Sequence, residues 1–396
     1  MAICILNLRH FFDSLRIKIY KFYAYDFFQA FVLLYPVYAL MFKEDGITDI
    51  EISLLFTAWS GAVLVFYPVY MKLSNHFSQK SIAVFGDVLK TLCFVCWLLI
   101  PNFWGYLLGW ILWGFRHCIS KLAYECMLFN EINHYNRKRI YTKVWGYKTS
   151  FFYAGYLLSC FGSLLVVWGY QLITVLSIAS CLIATLILVS IDFKHNDVYK
   201  PKPIVRTISN KLSIMRRHPR TTFNALALAF FIGLTYVDGY FGLVGDEIGI
   251  PTKFIGGIFI AVLAVQVVFS RLAHRFEKLP ERKVYAWMIA SSAIFALVTP
   301  FYNMSGIAIL LVFYMVYSVI EVLLFTRLQK GVRTQAQRTT FLSMFLLLSQ
   351  VAFILSYLAM IAGVAIGGLR YGFVIIAVLV AVLGMTGFFG RFKRRA

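Results

Sequence analysis

The sequence predicts an all-α membrane protein of twelve transmembrane helices, arranged as two pseudo-symmetric six-helix bundles. Composition, loop charge and an internal repeat carry that prediction. Of 396 residues, 61% are hydrophobic and 14% are charged. A water-soluble domain has about 45–50% apolar and about 25% charged residues. The apolar residues come in long blocks, such as 27–42, 172–191 and 371–389. One bilayer span needs about 20 such residues. The blocks place spans at 22–42, 52–71, 81–101, 104–129, 149–168, 171–193, 222–243, 254–270, 284–302, 305–326, 339–363 and 371–390.

The formal charge of +21 is a topology signal rather than a nucleic-acid signal. The N-terminus, every even-numbered connection and the C-terminus hold 32 of the 38 Lys and Arg residues. The odd-numbered connections hold only Lys43, Lys253 and Arg370. Excess Lys and Arg mark the cytoplasmic side. Both termini are therefore expected inside, in the cytoplasmic (inner) membrane. One missing or extra helix would scramble the alternation. At the N-terminus, Arg9, His10, Arg16 and Lys18 are scattered and no cleavage site follows. Residues 11–20 read as an amphipathic lead-in rather than a signal peptide.

The two halves align weakly but repeatedly. Gly46-Ile47-Thr48 and its following helix match Gly249-Ile250-Pro251. Asn75-His76-Phe77 matches His274-Arg275-Phe276, and Glu125 with Leu128-Phe129 matches Glu321 with Leu324-Phe325. The offsets are 203, 199 and 196. The expected division is 1–193, a basic connector at 194–220, and 221–396. Residues 205–215 suit an interfacial helix on anionic lipid. Duplicated six-helix halves are a transporter architecture, with substrate near the bilayer midplane.

Several segments resemble the major facilitator superfamily (MFS), in particular its drug-efflux-like and unassigned bacterial members. They are 38–48 at the end of the first span, 73–80 between the second and third, 120–130 in the fourth, and 338–343. The resemblance implies an MFS fold, a small-molecule substrate and alternating access. It assigns a gating role to the loop with Asn75 and Lys80. Asn75 stands where the family has an aspartate, so it supplies a hydrogen bond but no charge for an ionic latch.

Ionisable residues inside spans are functional candidates by default. Asp26, Glu125, Asp238 and Glu321 are candidate proton-coupling groups. Arg116, Lys121, Tyr35 and Trp113 are candidate substrate contacts. Arg116 admits two readings: a bidentate contact to a substrate carboxylate or phosphate, or a buried pair with Asp26. Asp87 and Lys90, three apart on one helix, suit an ion pair, as do Lys121 and Glu125. Asp238 lies beside Gly239 and Gly242, which would let its helix bend. Glu321 has Arg327 and Arg338 as candidate partners.

Other signals point to nothing further. Cys93 and Cys96 form a C-x-x-C spacing on a helix, without the turn and extra ligands a redox or zinc site needs. They read as small apolar filler. The histidines do not cluster, and neither metal nor cofactor is expected. No phosphate-binding Gly-x-x-x-x-Gly-Lys-Ser/Thr loop is present, so ATP does not drive the chain directly. The sequence thus reads as a monomeric, proton-coupled secondary active transporter in contact with membrane lipids. An organic anion, either a carboxylate metabolite or a polycarboxylate siderophore, is favoured over efflux of an amphipathic compound. The rival classes are an intramembrane lipid-modifying enzyme and a non-transporting sensor.

Overall fold

A computed structural model gives the fold. It describes residues 2–134, 141–192, 213, 215–330 and 335–389. Some helical side chains, including those of residues 2–15, Asn75, Lys121 and Glu125, also lie outside the description. So does most of the interfacial helix expected at 205–215.

The first helix is broken. It runs as α1 (Ala2–Ala30) and resumes as α2 (Tyr38–Glu44). The cause is local. Pro36 has no N–H and its ring opposes the carbonyl four residues back, while Tyr35 before it is disfavoured in helix. Then come α3 (Asp49–His76), α4 (Gln79–Leu99), α5 (Phe103–His134) and α6 (Tyr141–Ser159). A 3₁₀ segment, Cys160–Trp168, leads to α7 (Tyr170–Val189).

The later elements repeat this plan. Helix α8 (Pro219–Leu234) breaks, and a 3₁₀ turn at Asp238–Tyr240 leads to α9 (Phe241–Glu247). There follow α10 (Ile255–Leu272), α11 (Glu281–Ala296), α12 (Met304–Lys330), α13 (Gln335–Ile366) and α14 (Leu369–Phe389). Gly46 and Gly249 both close a helix at φ 82°. They are 203 positions apart, the offset of the first sequence match. Asn102 caps α5 through the Trp104 and Gly105 N–H groups. Asn303 caps α12 through the Ser305 N–H in the same way. At the N-terminus of α3, Thr48 and Glu51 form a reciprocal capping box.

Among the described residues, nine helices are long and apolar enough to cross a membrane. The other three expected spans fall on α1 with α2, on α5 and on α11. The first is broken at Pro36, α5 carries Arg116, Lys121 and Glu125, and α11 has 16 residues. Large apolar side chains face outward, with Val65 69% and Leu186 67% exposed. Such surface suits lipid, not water.

The chain gathers into two compact units. One holds Met1–Asp45, Ala62–Pro201 and Thr252–Gly256; the other holds Gly46–Gly61, Lys202–Pro251 and Gly257–Ala396. In the first, α1 packs on α6 and α7, and α4 on α5 and α7. In the second, α8 packs on α13 and α14, and α11 on α12 and α14. The same pairing scheme thus occurs twice.

Candidate functional site

The break in α1 organises the polar centre of the first unit. Ending a helix in an apolar setting strands backbone groups that need partners. Here α4 and α7 supply them. Lys90 donates to the Gln29 carbonyl at 2.6 Å. Ser180 donates to the Phe28 carbonyl at 2.9 Å, and the Leu34 N–H finds Ser177 Oγ at 3.1 Å. Lys90 is thereby a cationic cap on the C-terminus of α1, where the helix dipole favours positive charge.

Around this cap lies an ionic group. Lys90 also reaches Gln29 Oε1 at 3.1 Å, and Arg116 Nη2 reaches the same oxygen at 2.8 Å. Arg116 contacts the buried Asp87 carboxylate at 3.4 Å. Tyr25 donates to Asp87 at 2.9 and 3.1 Å, and Ser120 at 3.4 Å. A second pair lies nearby: Asp26 accepts from Tyr124 at 2.6 Å and meets Lys148 at 3.8 Å. A third joins Lys18 to Glu131 at 2.6 Å, both buried.

Two expected pairings are corrected here. Arg116 does not pair with Asp26: it meets Asp87, and Asp26 meets Lys148. Asp87 and Lys90 share a helix face but form no ion pair. Lys90 is instead taken by the carbonyl freed at the α1 break.

The aromatic candidates form a packed wall. Trp113 stacks on Trp110 with centroids 5.0 Å apart and on Tyr35 at 5.6 Å. The Lys90 ammonium lies 5.6 Å from the Tyr35 ring centre. Tyr35 and Trp113 are half-buried, and Trp113 also meets Phe94 and Trp97, with centroids 5.5 and 5.9 Å apart. Lys121 and Glu125 belong to α5, but their side chains and any pair between them lie outside the described residues.

The remaining candidates are dispersed. Asp238 sits in the break between α8 and α9, where its carboxylate accepts the Gly239 N–H at 3.0 Å. The helix does bend there, though Thr235, Val237 and Asp238 compete with it as much as Gly239 does. Glu321 is half-buried and shows no hydrogen bond or ion pair among the described residues. Its expected partner Arg327 donates instead to the Leu279 carbonyl at 2.6 Å, and Arg338 lies outside the described side chains.

The Asn75 side chain also lies outside the description. Lys80 donates to the Val189 and Ile191 carbonyls, both at 2.8 Å, and Lys21 to the Ser190 carbonyl at 2.8 Å. These lysines cap the C-terminus of α7. We expect Lys80→Gln to lower stability by about 0.3–1 kcal/mol, the typical worth of such a cap. Thermal melting beside an uptake assay checks this, and a block of uptake without a stability change would contradict it.

Gln29 and Lys148 are missing from the sequence-derived candidates. A lone glutamine in an apolar run, three residues after Asp26, was the one visible signal. Its meaning depends on where Lys90 and Arg116 point.

A twice-repeated, lipid-facing helical scheme around a buried polar centre defines a membrane transporter rather than an enzyme. The Major Facilitator Superfamily model matches residues 26–337. The chain belongs to the major facilitator superfamily. The fold is similar to a nucleoside transporter, NupG (TM-score 0.72, 12% identity, 96% of this chain and 99% of that one). It is also similar to a D-xylose–proton symporter (TM-score 0.70, 12% identity, 96% and 97%). A third similar structure is a bacterial homologue of the human lysosomal transporter Spinster, inward-facing and occupied (TM-score 0.70, 11% identity, 94% and 95%). A comparison with curated protein sequences finds no match.

Proposed function

We propose that this protein is a secondary active transporter that carries a small organic anion by alternating access, coupled to protons. One observation carries the anion reading. Two cations, Lys90 and Arg116, converge on one glutamine in the centre of the first unit, with Asp87 in contact with only one of them. Buried cations beyond the local carboxylates are costly unless they serve a ligand. A substrate carboxylate would compete with Asp87 for Arg116, whose 3.4 Å contact is long for a charge-assisted bond. Transport of neutral or amphipathic solutes is the rival, and the Tyr35–Trp113–Trp110 wall is the feature that favours it.

The working arrangement is two six-helix halves, 1–193 and 221–396, joined by 194–220. It acts as a monomer in the cytoplasmic membrane with both termini inside, as the 32-to-3 split of basic residues supports. Protons are the simplest driving ion. Asp238, in a helix break, Asp26 and Glu321 are the carboxylates proposed to bind and release them. Similarity of fold to a proton symporter supports this choice of ion.

Proteoliposomes loaded against a pH gradient test the reading. Wild-type protein is expected to accumulate a labelled carboxylate, and Asp238→Asn to exchange it without net uptake. If the mutant accumulates as well as wild type, Asp238 is not the coupling group. If labelled neutral sugars or drugs move and carboxylates do not, the anion reading is wrong.

A further inference from the structure

We infer that the polar centre of the first unit is built for one singly charged carboxylate, gripped by Gln29 Nε2 and Arg116 Nε. This rests on the anion reading above and sharpens it to a charge and a pair of donor atoms.

The first argument is orientation. Gln29 is 5% exposed. Its Oε1 lies 3.1 Å from Lys90 Nζ and 2.8 Å from Arg116 Nη2. Both neighbours can only donate, so the network assigns the amide oxygen to their side. The amide nitrogen then takes the other position of the same amide. There it is buried and has no hydrogen-bond partner. Arg116 Nε is likewise buried and without a partner. Both donors lack a partner among the described protein atoms, and an acceptor for them can come from solvent or a ligand. A carboxylate offers two acceptor oxygens to the two donors.

The second argument is charge. Asp87 answers Arg116, Asp26 answers Lys148, and Glu131 answers Lys18. Lys90 is left with the Gln29 carbonyl, Gln29 Oε1 and the Tyr35 ring. Among the described ion pairs of this centre one positive charge is in excess, offset in part by roughly half a negative charge at the C-terminus of α1. A single carboxylate restores neutrality. A dianion or trianion would bury negative charge with nothing to meet it. The wall does not compete for recognition, because Trp113 already stacks on two rings.

The test is thermal unfolding of the full chain in nanodiscs, with acetate, hexanoate, benzoate, citrate and the uncharged benzamide. At least one of the three monocarboxylates is expected to raise the melting temperature, and citrate and benzamide are not. Gln29→Glu is expected to weaken that monocarboxylate by about tenfold or more, since it cancels the spare charge and replaces the donor. Gln29→Leu, which removes the donor without adding charge, is the second variant should the first not fold; it too is expected to weaken binding. Undiminished binding in either variant overturns the role of Gln29. An Arg116-dependent shift with citrate and none with the monocarboxylates overturns the single charge but leaves the anion reading standing. Stabilisation by benzamide alone, or by no anion at all, overturns both.

Discussion

Arg116→Ala is expected to abolish carboxylate uptake. Arg116 is the one side chain that joins Gln29 to Asp87, at 2.8 and 3.4 Å. Losing a charged hydrogen bond to a ligand costs about 1.5–3 kcal/mol, which is about 10–150-fold in affinity. The protein is expected to insert and fold, because Asp87 keeps the Tyr25 hydroxyl, shared between its two oxygens, and Gln29 keeps Lys90. It loses some stability, since a buried carboxylate is left without its cation. Pairing Arg116→Ala with Asp87→Asn removes that stranded charge. The double variant should regain stability and stay inactive in proteoliposomes. Normal uptake with unchanged affinity in either variant would end the anion-site reading.

Gly162→Ala is the second large effect, and it acts on stability. A Cβ at Gly162 would lie 1.9 Å from the Leu33 carbonyl oxygen, inside the broken stretch of the first helix. That oxygen is backbone and cannot rotate away. Gly155 repeats the constraint earlier in the chain, 2.3 Å from the Phe27 carbonyl. Forcing such an overlap costs about 1–3 kcal/mol or more, and it pushes on the segment that Lys90 and Ser177 hold. Gly146→Ala is the control, because nothing lies within 4 Å of its added Cβ. Melting temperature in detergent should fall for Gly162→Ala and hold or rise for Gly146→Ala, which only adds helix propensity. Equal behaviour of the two would remove close packing of the Cys160–Trp168 segment against the break as a determinant of the fold.

The span pattern was legible because a bilayer imposes length and apolarity on each helix separately. Nine of the twelve expected spans reappear as single apolar stretches by length and composition, with ends a few residues away. The breaks were partly legible. Pro36 announces one by its missing N–H, and Asp238-Gly239 hints at the other. The individual ionisable residues were legible as well, since charge in an apolar run stands out. Their partners were not. Spacing on one helix placed Asp87 with Lys90, and depth placed Arg116 near Asp26. Neither pairing formed, because each depends on which residues of a different helix arrive at the same height and face.

Local periodicity and composition were thus enough for the membrane class, the number of spans expected and the repeat, and the resemblance of a few segments for the family. Packing was needed to show that Lys90 caps α1, that Lys80 caps α7, and that Gln29 is the meeting point of Lys90 and Arg116. The difference is one of range. Apolarity is satisfied residue by residue against lipid, whereas a buried charge is satisfied only by a partner that packing brings within about 3 Å.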